Sequence, residues 1–416
     1  MNTDGSRVAS SLGPQEPAGG ARRAHASARR RIRVRVVAAR AVLTVVLLAG
    51  AITSLVPGGR AGARGALLLW PLLTSSQPQP FVTVGEGVRH TALTITAASG
   101  PVYLDVYEPE MPLPPVPGER GGMLFIPGVG DNRTVPQLIN LSESLARSGE
   151  VVMEMTTPAL IAYDLAPTDS DAVVAAFQRL ATWPGVGRDR AGIIGLSGGA
   201  ALACLAAVDP RVRDHVAFVM SFGGYYDATH MLRDFGRRAI EENGHSYPWT
   251  PDTVPLYVLA TVLAHRLPEP DATELPAAFT FDNPTPLTSD DVARLSPEGQ
   301  AAYHVLAGDQ PDRVDANIAT LVPAAGDLLT ALSPSSILSQ IRAPVYLLHD
   351  RGDRFVPFTE AQDFAAALTR IHHRYDFVEV GIIAHTEVRS GQPLGSLITD
   401  GAGLGRLLYE LLLVGA

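Results

Sequence analysis

A serine lies at the centre of the segment Gly195-Leu196-Ser197-Gly198-Gly199, between a short apolar run and a run of strong helix formers. The apolar run, 191–194, is typical of a buried parallel strand, and residues 200–207 favour a helix. A sharp turn from a strand into a helix exposes the residue at its centre and crowds the neighbouring backbone. Glycines two positions away on each side relieve that crowding. The sequence therefore predicts that Ser197 is a nucleophile held on a strand-to-helix turn.

Two downstream segments offer the groups that activate a serine. A serine hydroxyl reacts poorly near neutral pH unless a base, usually histidine, takes its proton and a carboxylate orients that histidine. Each segment directly follows or closes an apolar run: 349–357 is His-Asp-Arg-Gly-Asp-Arg-Phe-Val-Pro, and 381–385 is Gly-Ile-Ile-Ala-His. Because loops at the carboxyl ends of parallel strands meet at one edge of the sheet, we expect both segments near Ser197.

From about residue 90 to the C-terminus, the chain resembles the α/β-hydrolase superfamily, most closely its serine esterase and dienelactone-hydrolase-like branches. The order of serine, acid and histidine along the chain is that of the family. The family's acid lies in a segment of the form H-G-x-x-D-x-x-V-P, which residues 349–357 match except that Asp350 replaces the glycine. The resemblance implies that Asp353 is the acid, with Asp350 as the alternative, and that His385 is the base.

The resemblance also implies an oxyanion hole, in which two backbone N–H groups face the oxygen that gains negative charge. Gly198, directly after the serine, would supply one of them. The other would come from residues 127–130, Pro-Gly-Val-Gly, which follow an apolar run. The family often has histidine where this loop has proline, but only a backbone donor is needed. We predict Val129 as this donor, with the two flanking glycines as alternatives.

The segments around these loops alternate between apolar runs and helical patterns, which is typical of a parallel sheet with helices on both faces. Predicted strands are 93–96 and 102–107, which form an antiparallel hairpin, then 123–126, 151–155, 191–194, 216–221, 345–349 and 375–380. Predicted helices outside the cap are 135–148, 169–182, 200–207, 359–371 and 404–414. The expected fold class is α/β: the α/β-hydrolase fold, with a mostly parallel central sheet and a largely helical cap insertion.

The alternation lapses after residue 227, and the next strand pattern begins near residue 345. We interpret the intervening block, about 228–335, as a cap inserted into a hydrolase domain that spans 81–416. Residues 252–267 are a candidate apolar helix of this cap, with a proline in the first turn.

The N-terminal part has a different composition from the rest of the chain. Residues 1–40 hold nine arginines and two acidic residues, a charge of +7, which leaves −16 for the remainder of a chain whose total is −9. We predict that this basic segment is disordered. The apolar run 41–57 has about 17 residues, the lower limit for a helix that spans a bilayer, and we predict that it is a membrane anchor. The arginines before it favour a cytoplasmic N-terminus with the catalytic domain outside. A signal peptide cleaved near residues 61–63 is the alternative, and residues 58–80 would be a linker.

Several classes of function are disfavoured by composition. The acidic domain would repel nucleic acid, and the single cysteine, Cys204, excludes an intrachain disulfide and a multi-cysteine zinc site. The sequence contains no phosphate-binding loop, dinucleotide fingerprint or spaced metal-ligand motif, so no cofactor or metal is expected.

The predicted function is hydrolysis of a small-molecule carboxylic ester through an acyl-enzyme on Ser197, His385 and Asp353. A peptidase or an acyltransferase would use the same residues, and remains an alternative. A catalytically silent, membrane-tethered binding protein is the alternative from another class. The identity of the acyl group and the oligomeric state are left open by the sequence.

Overall fold

The computed structural model describes residues 56–74, 87–110, 120–385, 387–388 and 394–415, together with positions 44 and 50. The segments predicted as a disordered N-terminus and a membrane anchor therefore lie almost entirely outside the described residues. Among the described helices, none combines the length and the apolar character that crossing a bilayer requires.

Eight strands of the described chain form one sheet. They are β1 (Val88–Ala97), β2 (Gly100–Pro109), β3 (Arg120–Ile126), β4 (Val151–Thr156), β5 (Val186–Leu196), β6 (Val216–Phe222), β7 (Val345–Asp350) and β8 (Tyr375–Val380). Their order across the sheet is β1-β2-β4-β3-β5-β6-β7-β8. Strand β2 pairs antiparallel with both neighbours, and the pairs from β4 to β8 are parallel. The predicted hairpin is present, with Ala97 paired to Gly100.

Helices cover both faces of the sheet. Outside the cap they are α1 (Pro57–Thr74), α2 (Pro136–Arg147), α3 (Asp169–Ala181), α4 (Gly198–Ala207), α10 (Phe358–Arg370) and α11 (Leu394–Leu413), with a single helical turn at Pro158–Ile161. Helices α3, α4 and α10 pack in one apolar core, which includes Phe177, Cys204 and Phe364. Helices α1, α2 and α11 pack in a second apolar core, against strand residues that include Met220 and Tyr346. The predicted α/β fold with helices on both faces is confirmed.

Helix α1 occupies part of the segment predicted as a linker. Its residues Ala61 and Leu68 are buried against the domain. The guanidinium of Arg64 lies 3.3 Å from the carboxylate of Glu150, whose side chain is completely buried. Burial raises the pKa of Glu150 to about 7, and the positive charge of Arg64 opposes that rise. Apolar packing and the contact between Arg64 and Glu150 therefore join the helix to the domain.

A largely helical segment, called here the cap, lies between β6 and β7. Its helices are α5 (Ala228–Arg237), α6 (Thr253–Ala264), α7 (Asp271–Ala278), α8 (Pro297–Ala307) and α9 (Val314–Ala331), with a helical turn at Ser289–Val292. A hairpin of Ala239–Glu242 and His245–Pro248, which the sequence pattern did not predict, follows α5. The cap has its own apolar core, built around Leu232, Phe235, Leu263 and Leu306. Helix α6 begins after Asp252, whose carboxylate accepts the N–H of Val254 at 3.4 Å.

Candidate active site

Ser197 lies on the turn between β5, which ends at Leu196, and α4. Its backbone has φ 53° and ψ −128°, a conformation that residues with a side chain rarely adopt. A Cβ atom at Gly195 would lie 2.3 Å from the carbonyl oxygen of Gly199, and one at Gly199 would lie 2.5 Å from that of Ile126. Both glycines are therefore required by close backbone contacts, as the spacing around the serine predicts.

Asp353 and His385 form a close pair on the loops that follow β7 and β8, called here the acid–histidine pair. Nδ1 of His385 lies 2.7 Å from Oδ2 of Asp353. The carboxylate is buried, and its Oδ1 accepts the N–H groups of Phe355 and Val356 at 2.6 and 3.2 Å. Burial alone would raise the pKa of Asp353, but the imidazoles of His385 and His349 outweigh it and hold the pKa well below its usual range. An ionised carboxylate at Nδ1 leaves Nε2 of His385 to exchange a proton.

Asp350, the alternative acid, has a different role in the structure. It is buried, and its Oδ2 accepts the backbone N–H of His385 at 3.2 Å. This carboxylate therefore supports the histidine loop, whereas Asp353 contacts the ring. His349 is a residue that the sequence reasoning did not single out. Its Nε2 donates to the carbonyl of Val356 at 3.1 Å and lies 3.4 Å from Oδ2 of Asp353, the same oxygen that Nδ1 of His385 contacts.

The end of β6 lies between the serine turn and the acid–histidine pair. The N–H of Ser197 donates to the carbonyl of Phe222 at 2.9 Å. A Cβ atom at the next residue, Gly223, would lie 3.1 Å from Nδ1 of His385. The ring of Phe355 stacks on His385 with centroids 4.4 Å apart, and Phe355 lines the same cavity as Ser197. In the described part of the chain, the side-chain hydrogen bond of His385 goes to Asp353, and none links it to Oγ of Ser197.

The loop after β3, residues 127–130, lies beside the serine turn. A Cβ atom at Gly198 would lie 4.0 Å from Cγ1 of Val129, and both residues line the cavity onto which Ser197 opens. The N–H of Gly130 donates to the carbonyl of Leu160 at 2.7 Å, which removes this glycine from the alternatives for the oxyanion hole. Gly198 is the first residue of α4, where helix geometry leaves the N–H without an intrahelical partner.

The carboxamide of Asn132 holds this loop, and the sequence reasoning did not identify it. Its Nδ2 donates to the carbonyl of Pro127 at 3.1 Å and to that of Val129 at 2.8 Å. Because these two bonds fix the peptide units on both sides of the predicted donor, we infer that Asn132 positions the N–H of Val129. Only contacts within the folded loop reveal this role.

An apolar cavity between the cap and the sheet opens at Ser197. Helix α6 contributes Val254, Val258 and Val262, which share one helix face at intervals of four residues. Among the described residues that line the cavity, none has an acidic or a basic side chain. The hydroxyl of Tyr225, which also lines it, donates to the carbonyl of Leu332 at 3.1 Å. The lining is suited to a neutral, apolar group.

The strand order, the antiparallel second strand and the serine turn after β5 together define the α/β-hydrolase fold. The chain has this fold. No protein-family model matches the sequence, and no curated protein matches it.

Solved structures similar to this chain have low sequence identity and modest TM-scores. A Porphyromonas gingivalis dipeptidyl peptidase 4 is 11% identical, with a TM-score of 0.45 over 77% of this chain and 35% of that one. A Mycobacterium tuberculosis puromycin-hydrolyzing peptidase is 19% identical, with a TM-score of 0.44 over 77% and 39%. Brefeldin A esterase, described as a bacterial homologue of human hormone-sensitive lipase, is 16% identical, with a TM-score of 0.44 over 86% and 83%. The chain thus spans well under half the length of the two peptidases.

Proposed function

We propose that this chain is a serine hydrolase that cleaves carboxylic esters with an apolar acyl group. The main support is that the strained serine turn opens onto an apolar cavity that Phe355 also lines. The ring of Phe355 stacks on His385 of the acid–histidine pair, so the same side chain contacts the histidine and lines the cavity of the serine. This arrangement supports the assignment of a nucleophile, a base with its acid and a binding cavity for the acyl group to one edge of the sheet.

The proposed reaction has two steps. Oγ of Ser197 attacks the carbonyl carbon of the ester while Nε2 of His385 takes the hydroxyl proton. The tetrahedral oxyanion accepts hydrogen bonds from the N–H groups of Val129 and Gly198. Its collapse breaks the C–O bond, and His385 returns the proton to the leaving alcohol. Water then attacks the acyl carbon while the same imidazole takes its proton. Collapse breaks the bond between the acyl carbon and Oγ of Ser197, which receives that proton as the carboxylic acid is released.

The lining of the cavity favours a neutral ester over a peptide with a free amino terminus. Binding of a peptide with a charged amino terminus would require an acidic side chain near the nucleophile, because a buried unpaired charge is costly. The described lining offers only apolar side chains and two hydroxyls, those of Ser197 and Tyr225. An acyl chain would instead remove apolar surface of α6 from water.

A series of p-nitrophenyl esters from acetate to octanoate tests this proposal. We expect kcat/KM to rise by about fourfold for each methylene that enters the cavity, since burial of one methylene contributes about 0.8 kcal/mol. Aminoacyl p-nitroanilides with a free amine serve as the peptidase-type comparison and should be turned over far more slowly.

Other outcomes of this series would identify the alternatives. Faster turnover of the aminoacyl anilides than of any ester would contradict ester specificity and support a peptidase. Transfer of the acyl group to an added alcohol in preference to water would support an acyltransferase. Absence of turnover on every substrate, combined with absence of covalent labelling at Ser197, would favour a silent binding protein.

Asn132→Ala provides a test of the oxyanion loop. Loss of the two bonds to the carbonyls of residues 127 and 129 should misplace the predicted donor, so we expect kcat to fall by about 10- to 100-fold with little change in KM. The control is Asn243→Ala on the cap hairpin, which should retain wild-type kinetics. An unchanged kcat in Asn132→Ala, or a fall matched by loss of folded protein, would contradict the positioning role.

A further inference from the structure

A second cluster of titratable side chains lies where the cap meets the core. His230 and Asp234 are one turn apart on α5, and Glu360 lies in the first turn of α10. One nitrogen of the imidazole and one oxygen of each carboxylate lie within 4.8 Å of one another. These three residues are called here the cap-base cluster.

Glu360 is completely buried and has one oxygen already in use. Its Oε2 accepts the backbone N–H groups of Tyr226 and Asp227, both at 2.8 Å. Its Oε1 lies 2.7 Å from Nδ1 of His230. Oε2 thus fixes the orientation of the carboxylate, and Oε1 faces His230.

Asp234 is the least expected member of the cap-base cluster. It is only 4% exposed, and its Oδ2 is buried without a hydrogen-bond partner among the described residues. A buried carboxylate without a partner is costly unless it binds a proton or a cation. Arg237, the nearby cation on the same helix, is directed to Asp315 at 2.8 Å and to Glu241 at 3.4 Å.

The cluster is open to solvent on one side. The side chain of His230 is 40% exposed. Asp363 lies one turn after Glu360, and its side chain is 54% exposed. Its Oδ2 is 3.4 Å from Nδ1 of His230. A hydrated ion can therefore reach the cluster, and Asp363 or water can complete its coordination.

We propose that His230, Asp234 and Glu360 bind a divalent cation of the Zn²⁺ or Mn²⁺ class. One imidazole nitrogen with carboxylate oxygens is a donor set that suits these metals. Two ligand atoms at about 2.1 Å from a tetrahedral zinc ion lie about 3.4 Å apart, so Nδ1 of His230 and Oε1 of Glu360 need to separate by less than about 1 Å. His230 releases any proton on Nδ1 when the metal binds.

Such a cation would connect the first helix of the cap to the core. Asp234 and His230 belong to the cap, whereas Glu360 belongs to α10 and also holds the backbone after β6 through Tyr226 and Asp227. We therefore expect the bound metal to stabilise the folded chain rather than to take part in bond cleavage. The inference does not depend on the proposed ester hydrolysis.

Calorimetric titration of the full chain, after treatment with a chelator, tests this site with ZnCl₂ and MnCl₂ as the probes. We expect one ion to bind per chain, and Tm to rise by about 5 °C at a hundredfold excess over Kd. Asp234→Asn should weaken binding by about 100-fold and remove most of the Tm increase. Neither the titration nor the Tm measurement requires turnover, so their results are independent of the result of the ester assay.

Asp309→Asn is the matched control, because Asp309 forms an exposed pair with His304 at 2.9 Å in another part of the cap. It should bind the metal as the wild type does. If Asp234→Asn does not fold, His230→Gln replaces it and should show the same loss of affinity. Equal affinity in the wild type and in the cluster variants, an equal loss in Asp309→Asn, or no bound metal in the wild type would overturn the proposal.

Discussion

Replacement of Ser197 by alanine is expected to reduce kcat for ester hydrolysis by at least about 10⁴-fold and to abolish covalent labelling by a fluorophosphonate probe. The reason is chemical, since alanine has no oxygen that can form the acyl-enzyme. KM should change little because the apolar side chains of the cavity remain. The measurements are steady-state kinetics with the best p-nitrophenyl ester, and mass spectrometry of the labelled protein.

Ser221→Ala is the control for this experiment. Ser221 is a buried serine near the end of β6, next to the residue whose carbonyl accepts the N–H of Ser197. Its replacement changes the same region without removing the predicted nucleophile, so labelling should persist. Equal labelling of wild type and Ser197→Ala would assign the reactive hydroxyl to another residue and would remove the basis of the proposed function.

The sheet and the serine turn could be predicted from the sequence because their signals are local. An apolar run, two glycines at fixed distances from Ser197 and a run of helix formers specify the turn without any distant contact. The acid and the histidine needed more than local signals. The family-like segment 349–357 offered both Asp350 and Asp353, and only the folded loop shows that Asp353 contacts the ring of His385.

Features that depend on tertiary contacts were missed. Helix α11 begins at Leu394, ten residues before the predicted start. The prediction began too late because glycines at 401, 403 and 405 weaken the local helix signal. Helix α9 continues through Pro323, which local propensity alone would place at a helix end. The cap-base cluster joins His230 and Asp234, which are four positions apart, to Glu360, more than a hundred positions later, so that sequence spacing could reveal only two of its three members.

Asp353→Asn is expected to reduce kcat by about 10⁴-fold with little change in KM. Asparagine removes the charge that stabilises the imidazolium. Its amide N–H can also donate to Nδ1 of His385, which favours the tautomer with the proton on Nε2. A protonated Nε2 cannot accept the proton of Ser197. Because the pKa of Asp353 lies well below its usual range, the wild-type carboxylate stays ionised through the assay range of about pH 5 to 9. The wild-type rate should therefore not follow the titration of this group.

Asp350→Asn distinguishes an acid that acts on the ring from one that supports the loop. Asparagine can still accept the backbone N–H of His385 through its carbonyl oxygen, so we expect a fall in kcat of only about 10-fold. The two variants make the same chemical change at neighbouring buried carboxylates, and the expected difference of about 10³-fold in kcat reflects which one contacts Nδ1. A larger loss in Asp350→Asn than in Asp353→Asn would transfer the role of the acid to Asp350 and would show that the loop rearranges before catalysis.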